Sequence, residues 1–230
     1  MIGFTWLSLL AALLLAVLLP MLFAQVMIVS LDKLYLSESA AIALILAVFI
    51  GSAINIPLRR IRRTVEMDIH PFAARGIFGY WPGPGGMPPA RVSMEMIVAV
   101  NVGGCAIPVG LAGYELVHIV ARDSGLLAVT AIAAGINILA CYRLARMVPG
   151  VGIALPSLVP ALISAALALL LAPAQAPPIA FIAGVAGPLV GADLLHLREI
   201  ERLQSGIVSI GGAGTFDGII LSGILAAYLA

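Results

Sequence analysis

The sequence predicts an all-α fold, a polytopic bundle of about seven transmembrane helices, several of them broken by glycine and proline. Of the 230 residues, 62% are hydrophobic and only 10% are charged, and the mean hydropathy is +1.15. Soluble domains are about half apolar and about a quarter charged, so this composition is typical of a membrane protein. Windows of about twenty apolar residues recur along the chain, and 24 glycines and 15 prolines fall largely within or beside them, which predicts interrupted helices.

Seven windows are apolar enough to cross a bilayer core of about 30 Å. The first has no cation before Lys33 and is too long for the apolar part of a signal peptide. We therefore expect it to be a retained, tilted membrane helix with a kink near Pro20. Residues 1–230 form a single transmembrane domain with one long loop at 59–93. The seven predicted spans are 4–29, 39–58, 94–116, 125–144, 151–171, 179–195 and 206–229.

The basic residues predict the orientation of the bundle. With seven spans, ten of the twelve Lys and Arg residues lie on one side, and only Lys33 and Arg122 lie on the other. Because cytoplasmic loops carry an excess of Lys and Arg, the ten mark the inner side. We expect a multi-pass protein of the cell (inner) membrane with its N-terminus in the cytoplasm and its C-terminus outside. The ten are Arg59, Arg60, Arg62, Arg63, Arg75, Arg91, Arg143, Arg146, Arg198 and Arg202.

The cytoplasmic loop at 59–93 is rich in proline and glycine. Its RRIRR run suits anionic headgroups, at about 1 kcal/mol per cation near the surface. The later stretch GYWPGPGGMPP cannot be helical, because proline lacks the backbone donor and glycine permits positive φ. Phe78, Tyr80 and Trp81 predict either a turn-rich flap at the membrane interface or a plain ordered linker.

Helix breakers interrupt four of the spans. In lipid an unpaired backbone group costs several kcal/mol, so breaks occur where protein or water satisfies the freed groups. Close packing between small residues is the alternative explanation for any single break. Since four spans carry breaks, we expect spans three, five, six and seven to surround a polar cavity that opens toward the cytoplasm. The residues concerned are Asn101, Gly103, Gly104, Pro108, Pro156, Pro160, Pro188, Gly211, Gly212 and Gly214.

Most polar side chains in the apolar windows have an ordinary explanation. Glu95, Glu115, His118, Arg122 and Asp123 lie near span ends, where we expect them to reach the interface. The deeper asparagines, Asn55, Asn101 and Asn137, suit hydrogen bonds between helices, and Asn101 is also a candidate for the cavity lining.

Two aspartates are candidate site residues. Asp217 falls about eleven residues, or about 16 Å, into the last predicted span, and no basic residue of that span can pair with it. An acid inside a membrane is a functional-site hypothesis by default, although an inert Asp bonded to freed backbone would explain it too. We expect Asp217 to be protonated at neutral pH or to share a proton with Asp193, because an inserted ion costs several kcal/mol. Five glycines between Gly206 and Gly218 would let the span unwind and admit water.

The sequence contains no pattern for a metal, a cofactor or nucleic acid. Asp193 and His196 share one helical face, but the other histidines, His70 and His118, lie elsewhere. Cys105 and Cys141 are isolated in apolar segments, as packing residues are. The expected partners are the lipid bilayer and either a transmembrane peptide substrate or a small ion.

Four stretches resemble a family of prokaryotic membrane proteins known as domain of unknown function 1614. They are GSAINIPL, GVGIALPSLVPAL, GADLLHL and GGAGTFDGI, and together they extend over most of the chain. This resemblance implies a membrane protein and brings no activity with it.

The same stretches also resemble the presenilin and signal-peptide-peptidase class of intramembrane aspartyl proteases. That class has one Asp on a helix descending to the cytosol, a second on the next ascending helix within Gly-x-Gly-Asp, and a Pro-Ala-Leu element. Here the acids have the matching order, although two residues separate Gly214 from Asp217 and Pro-Ala-Leu precedes the acids. The resemblance implies catalytic Asp193 and Asp217, lined by Gly211, Gly212, Gly214, Pro160, Ala161 and Leu162.

Three functions remain open from the sequence. Paired acids on adjacent antiparallel spans favour an intramembrane aspartyl hydrolase. Broken helices with a membrane-embedded acid are also typical of an ion- or proton-coupled transporter or channel. A non-catalytic membrane scaffold, whose polar residues only hold the bundle together, is the third.

Overall fold

The computed structural model describes residues 6–67, 90–148, 152–156, 158–200 and 206–230. The fold is predominantly helical, as expected, and it also contains two small sheets that the sequence analysis did not predict. The helices are α1 (Trp6–Lys33), α2 (Glu38–Gly51), α3 (Ile107–Arg122), α4 (Gly125–Leu144), α5 (Leu158–Leu171), α6 (Ala176–Ala186), α7 (Leu197–Ile200) and α8 (Gly218–Leu229).

Two π-helical segments and two 3₁₀ turns extend these helices. The first π segment, Val102–Ala106, leads into α3, and the second, Gly187–Leu194, continues α6. The 3₁₀ turns are Pro173–Gln175 before α6 and Gly214–Phe216 before α8. Because π-helical turns are rare and occur frequently at functional sites, these two segments are candidate parts of a functional site.

Each predicted span contains a helix, but not all of these helices are long enough to cross a bilayer. Four helical stretches have sufficient length and apolar character: Ser8–Lys33, Val102–Arg122, Gly125–Leu144 and Pro173–Leu194. Three apolar helices, α2, α5 and α8, are shorter. The protein is therefore membrane-protein-like in its helices, while the arrangement of seven spans stays a prediction.

The larger sheet corrects the predicted bounds of the second, third and seventh spans. Its strands are β1 (Asn55–Met67), β2 (Ala90–Asn101) and β5 (Ile207–Ile210), in the order β1-β2-β5. β1 and β2 pair antiparallel from Asn55↔Asn101 to Met67↔Ala90, and β5 joins β2 in parallel. The residues of β2 were assigned to a membrane helix because a short apolar run such as MIVAV fits either a helix or a strand. Its β-branched residues, Ile97, Val98 and Val100, favour the strand.

The long loop at 59–93 begins and ends in this sheet. Its described parts belong to β1 and β2, so the loop is the outer half of an antiparallel hairpin. Arg59, Arg60 and Arg62 lie on β1 with exposed side chains. Since lipid-exposed sheet edges do not occur in the hydrocarbon region, this hairpin belongs outside it. The predicted flap with Phe78, Tyr80 and Trp81 lies outside the described residues.

A second, two-stranded sheet replaces the beginning of the fifth predicted span. Its strands are β3 (Arg146–Val148) and β4 (Gly152–Ala154), and they pair antiparallel. α5 accordingly begins only at Leu158.

The last helix, α8, lies at the centre of the bundle. It packs against α1, α5 and α6, and its buried residues cover more than one face, among them Ile219, Ile220, Ser222, Gly223 and Ala226. α1, by contrast, is almost entirely exposed over its apolar window, as a helix that faces lipid would be. The site described next lies where α8 begins.

Candidate functional site

The turn between β5 and α8 packs backbone to backbone against the first π segment. Gly211 and Gly214 have φ of +72° and +62°, a conformation that residues with a Cβ rarely adopt. A Cβ on Gly104 would collide with Gly211 O and would lie 2.8 Å from Gly214 O. The glycines of GGAGTFD and NVGG therefore permit close contact between two main chains. That contact is the small-residue packing which the sequence analysis weighed as the alternative to a cavity.

Side-chain hydrogen bonds join this turn to α2 and to the sheet. The hydroxyl groups of Ser52 and Thr215 lie 2.8 Å apart, and Ser209 Oγ donates to Asn55 Oδ1 at 2.6 Å. Asn101 is completely buried, and its Nδ2 donates to Ser52 O at 2.8 Å and to Asn55 Oδ1 at 3.2 Å. These bonds fix the turn in one position relative to the strands.

Asn101 also begins the first π segment. Its Oδ1 accepts from Gly104 N at 2.8 Å, so the side chain caps the segment as an Asn at a helix N-terminus does. Both hydrogens and the oxygen of the amide are engaged. The position predicted to line a cavity is thus a structural junction, and its contact with a substrate stays a prediction.

Asp217 lies at the N-terminus of α8, not in the middle of a helical span. The sequence analysis placed it about eleven residues into a helix, but the helix begins at Gly218 because the glycine-rich turn precedes it. Asp217 Oδ1 accepts from Ile219 N at 3.0 Å, and Oδ2 accepts from Ala213 N at 3.3 Å. This N-cap position favours a negative charge, since the unpaired N–H groups of the helix point toward it.

Asp193 lies in the second π segment, which α4 holds in place. A Cβ on Gly191 would meet Cys141 Cβ at 2.8 Å, and one on Gly187 would meet Cys141 Sγ at 3.0 Å, so both glycines face α4 closely. Asp193 follows Gly191 by two residues and therefore projects from nearly the opposite face of the segment. Its side chain is partly exposed, as is that of Asp217.

A third ionisable group, the thiol of Cys105, lies near the two acids. Asp193 lies within electrostatic range of Asp217, and Cys105 lies within electrostatic range of both. Cys105 belongs to the first π segment and is buried. One region thus unites both π segments, the glycine turn and both predicted catalytic acids. Two carboxyl groups that approach to hydrogen-bonding distance can share one proton and activate a water.

Comparison with known proteins places all of these segments in one family. The model of a family described as Protein of unknown function (DUF1614) matches residues 49–229. The chain belongs to this family. No curated protein and no solved structure matches it. The match begins just before the end of α2 and includes the site, whereas all of α1 precedes it.

Within this DUF1614 chain, the predicted Pro-Ala-Leu element lies in a different part of the packing. Pro160 and Ala161 are buried in α5, and Ala161 belongs to a cluster with Ala133, Ala180 and other small residues. Leu162 is 56% exposed on the outside of α5. The glycines and acids of the site border the other apolar cluster, which includes Cys105, Ile210 and Ile219. A role of Pro160, Ala161 and Leu162 in lining the site stays a prediction.

The remaining polar residues near the acids have structural partners. His196 is buried, and its Nδ1 lies 3.0 Å from Gly191 O and 2.9 Å from Ala192 O. Its ring contacts Tyr142 at 4.8 Å between centroids. Within the described ranges, no three His, Cys, Asp or Glu side chains form a group that could hold a metal ion.

Sequence reasoning missed two features of the molecule. Ser52 and Thr215, which brace the turn, carry no recognisable signal because small hydroxyl residues are common in any membrane helix. Glu115 was expected at the interface, yet it is only 2% exposed. A signal for its burial was present, since Leu111, Glu115 and Ile119 follow each other at intervals of four on one face of α3.

Proposed function

We propose that this membrane protein is an intramembrane aspartyl hydrolase, with Asp193 and Asp217 as its catalytic pair. The observation that supports it best is that Asp193, in the second π segment, lies within electrostatic range of Asp217 and of Cys105, which belongs to the first π segment. A structural role explains Asp217 alone, as the cap of α8. It does not explain a second, partly exposed acid beside it.

The hydrogen bonds of Asp217 suggest which of the two acids is the base and which is the proton donor. Asp217 accepts two backbone N–H groups, which favours its ionised form. We therefore assign the base to Asp217 and the shared proton to Asp193, as in the paired carboxyl groups of aspartic proteases.

The reaction follows from this assignment. Asp217 takes a proton from water while the water oxygen bonds to the carbonyl carbon of a peptide bond. Asp193 gives its proton to the leaving nitrogen as the C–N bond breaks. The products are a carboxylic acid and an amine, and the proton on Asp217 restores the shared state.

The sheet edge indicates the form of the substrate. β5 pairs with β2 on one side, and among the described residues no strand lies on its other side. An extended peptide can add to such an edge by main-chain hydrogen bonds. Because β5 runs directly into the turn that carries Asp217, an added strand would pass beside the acids. The expected substrate is a membrane-anchored peptide with an unwound segment.

The orientation of the bundle is part of the proposal. Lys33 Nζ donates to Tyr228 O at 2.6 Å, and Arg122 lies over the Tyr35 ring at 5.0 Å. The two cations predicted to lie outside are thus at the same end of the bundle as the end of α8. This supports an outside C-terminus, with the acids toward the cytoplasmic end.

The test is covalent labelling by a photoreactive peptide mimic that carries a hydroxyethylene group in place of the scissile bond. Wild type should be labelled, and Asp193→Asn and Asp217→Asn should lose labelling by at least tenfold while folding normally, since Asn keeps the cap. Asp32→Asn is the matched control, because Asp32 is an exposed acid at the C-terminal end of α1, near Lys33 and away from Asp217. Equal labelling of all four proteins would refute the catalytic pair.

A cleavage assay separates the hydrolase from its alternatives. In proteoliposomes with single-span peptide reporters, loss of a general acid or base should slow cleavage by about 10²–10⁴-fold. Proton flux that depends on Asp217, without cleavage by wild type, would instead identify a transporter. No effect of either substitution in any assay would leave the scaffold.

A further inference from the structure

A second polar site lies at the opposite end of the bundle from the acids. A cavity of about 140 Å³ opens between the end of α1, α3 and the 3₁₀ turn before α6. Its polar lining consists of Tyr35, Tyr114, Glu115, His118, Arg122 and Gln175. The bond from Lys33 to Tyr228 O places this cavity near the last turn of α8, whereas Asp217 precedes the first.

Two buried oxygen atoms in this site have no hydrogen-bond partner among the described residues. They are Glu115 Oε1 and Gln175 Oε1. Glu115 is only 2% exposed, and burying an acceptor without a donor is unfavourable, more so for a charged group. A carboxylate can only accept, so the site calls for a ligand that donates N–H or O–H groups.

Arg122 gives the site its second charge. It follows Glu115 by seven residues, on the same face of α3 and about 10 Å further along the axis. The guanidinium is within electrostatic range of Glu115, but Glu115 Oε1 has no hydrogen-bond partner among the described residues. The guanidinium lies over the Tyr35 ring at the exposed mouth of the cavity. A buried carboxyl group and an exposed guanidinium group therefore line one small space.

This charge pattern selects the class of ligand. A simple cation would be repelled by Arg122, and a simple anion by Glu115. We infer that the cavity binds a small zwitterion, a primary ammonium separated by a few atoms from a carboxylate or phosphate. The ammonium donates to Glu115 Oε1 and Gln175 Oε1, and the anionic group bonds to Arg122.

Size and donor number restrict the ligand further. A cavity of about 150 Å³ holds benzene, which has six non-hydrogen atoms. Glycine, alanine and the ethanolamine phosphate of a lipid headgroup are of this order. A quaternary ammonium fits poorly despite the aromatic rings of Tyr35 and Tyr114, because it offers no N–H to the two buried oxygens.

The experiment compares matched ligands by isothermal titration calorimetry on the purified protein in detergent. Glycine should bind at least tenfold more tightly than trimethylglycine, or ethanolamine phosphate more tightly than choline phosphate. Tighter binding of glycine than of trimethylglycine indicates that the ligand is a free amino acid. Tighter binding of ethanolamine phosphate than of choline phosphate indicates a lipid headgroup. In that case the protein should also retain phosphatidylethanolamine in preference to phosphatidylcholine in nanodiscs.

Substitutions test the assigned contacts. Glu115→Gln and Arg122→Gln should each weaken binding at least tenfold, whereas Glu38→Gln, on the exposed first turn of α2, should leave it unchanged. If Glu115→Gln does not fold, Gln175→Ala removes the other acceptor and should weaken binding as well. Binding of no zwitterion, equal binding of primary and quaternary amines, or full binding by the variants would overturn the inference.

Discussion

Replacement of Gly184 by alanine should destabilise the protein by wedging α6 away from α8. An added Cβ would lie 2.8 Å from Ser222 O, 2.9 Å from Gly223 Cα and 3.1 Å from Ala226 Cβ. The two nearest atoms belong to the backbone of α8, so no side-chain rotation can relieve the contact. The helices must separate by a few tenths of an ångström, and overpacking of this kind costs about 1–3 kcal/mol.

A second glycine provides the control for this substitution. Gly135, within α4, has no atom within 4 Å of the position that a Cβ would take. Glycine to alanine in a helix stabilises by about 0.5–1 kcal/mol through the unfolded chain and helix propensity. Both variants gain this contribution, so the difference between them isolates the steric cost.

The assay is thermal unfolding in detergent, followed by fluorescence or by retained soluble protein. At about 2–4 °C per kcal/mol for a chain of this length, Gly184→Ala should unfold several degrees below Gly135→Ala. Equal unfolding temperatures for the two variants would show that α6 and α8 are not in backbone contact, and the central position of α8 would then be wrong.

Three further predictions address other parts of the molecule. Asn137→Ala should lower the free energy of unfolding by about 1–3 kcal/mol in the same assay, because Asn137 Nδ2 donates to Ser164 Oγ and to Ala183 O at a fully buried position. An unchanged unfolding temperature would contradict this. Cys105 and Cys141 are buried, so a maleimide reagent should label neither thiol until the protein is denatured, and rapid labelling of the native protein would show that a π segment or α4 is displaced. Alkaline phosphatase fused after Ala230 should be active in a living cell, whereas fluorescence from a cytoplasmic reporter at that position would reverse the predicted orientation.

The helical part of the fold could be predicted because hydropathy alone indicates where the long apolar helices lie. A twenty-residue apolar window has few alternatives to a membrane helix, and Gly125–Leu144 was predicted with the bounds that the structure shows. The β-sheet could not be predicted in the same way. The MIVAV run is apolar in every position, and its pairing partner β5 lies more than a hundred residues later in the chain.

The two acids of the candidate site could be selected from the sequence, but their local structure could not be predicted from it. Asp193 and Asp217 stood out because acids are rare in apolar segments. Their settings depend on long-range contacts, such as Gly104 against Gly211, that no local pattern encodes. The same holds for Glu115. Its chemistry suggests an interfacial position, whereas in the structure α3 packs against α6 and Glu115 is buried.

The central position of α8 has a consequence for synthesis. Ribosomes make proteins from the N-terminus, and domains generally form in that order. Here α8 contacts α1, α5 and α6 and follows all three in the chain, so it is made after them. The surfaces of α1, α5 and α6 that pack against α8 therefore lack this partner until α8 has been made. β5 and Asp217 directly precede α8 in the chain, so a chain that stops before β5 would contain only one of the two acids, Asp193.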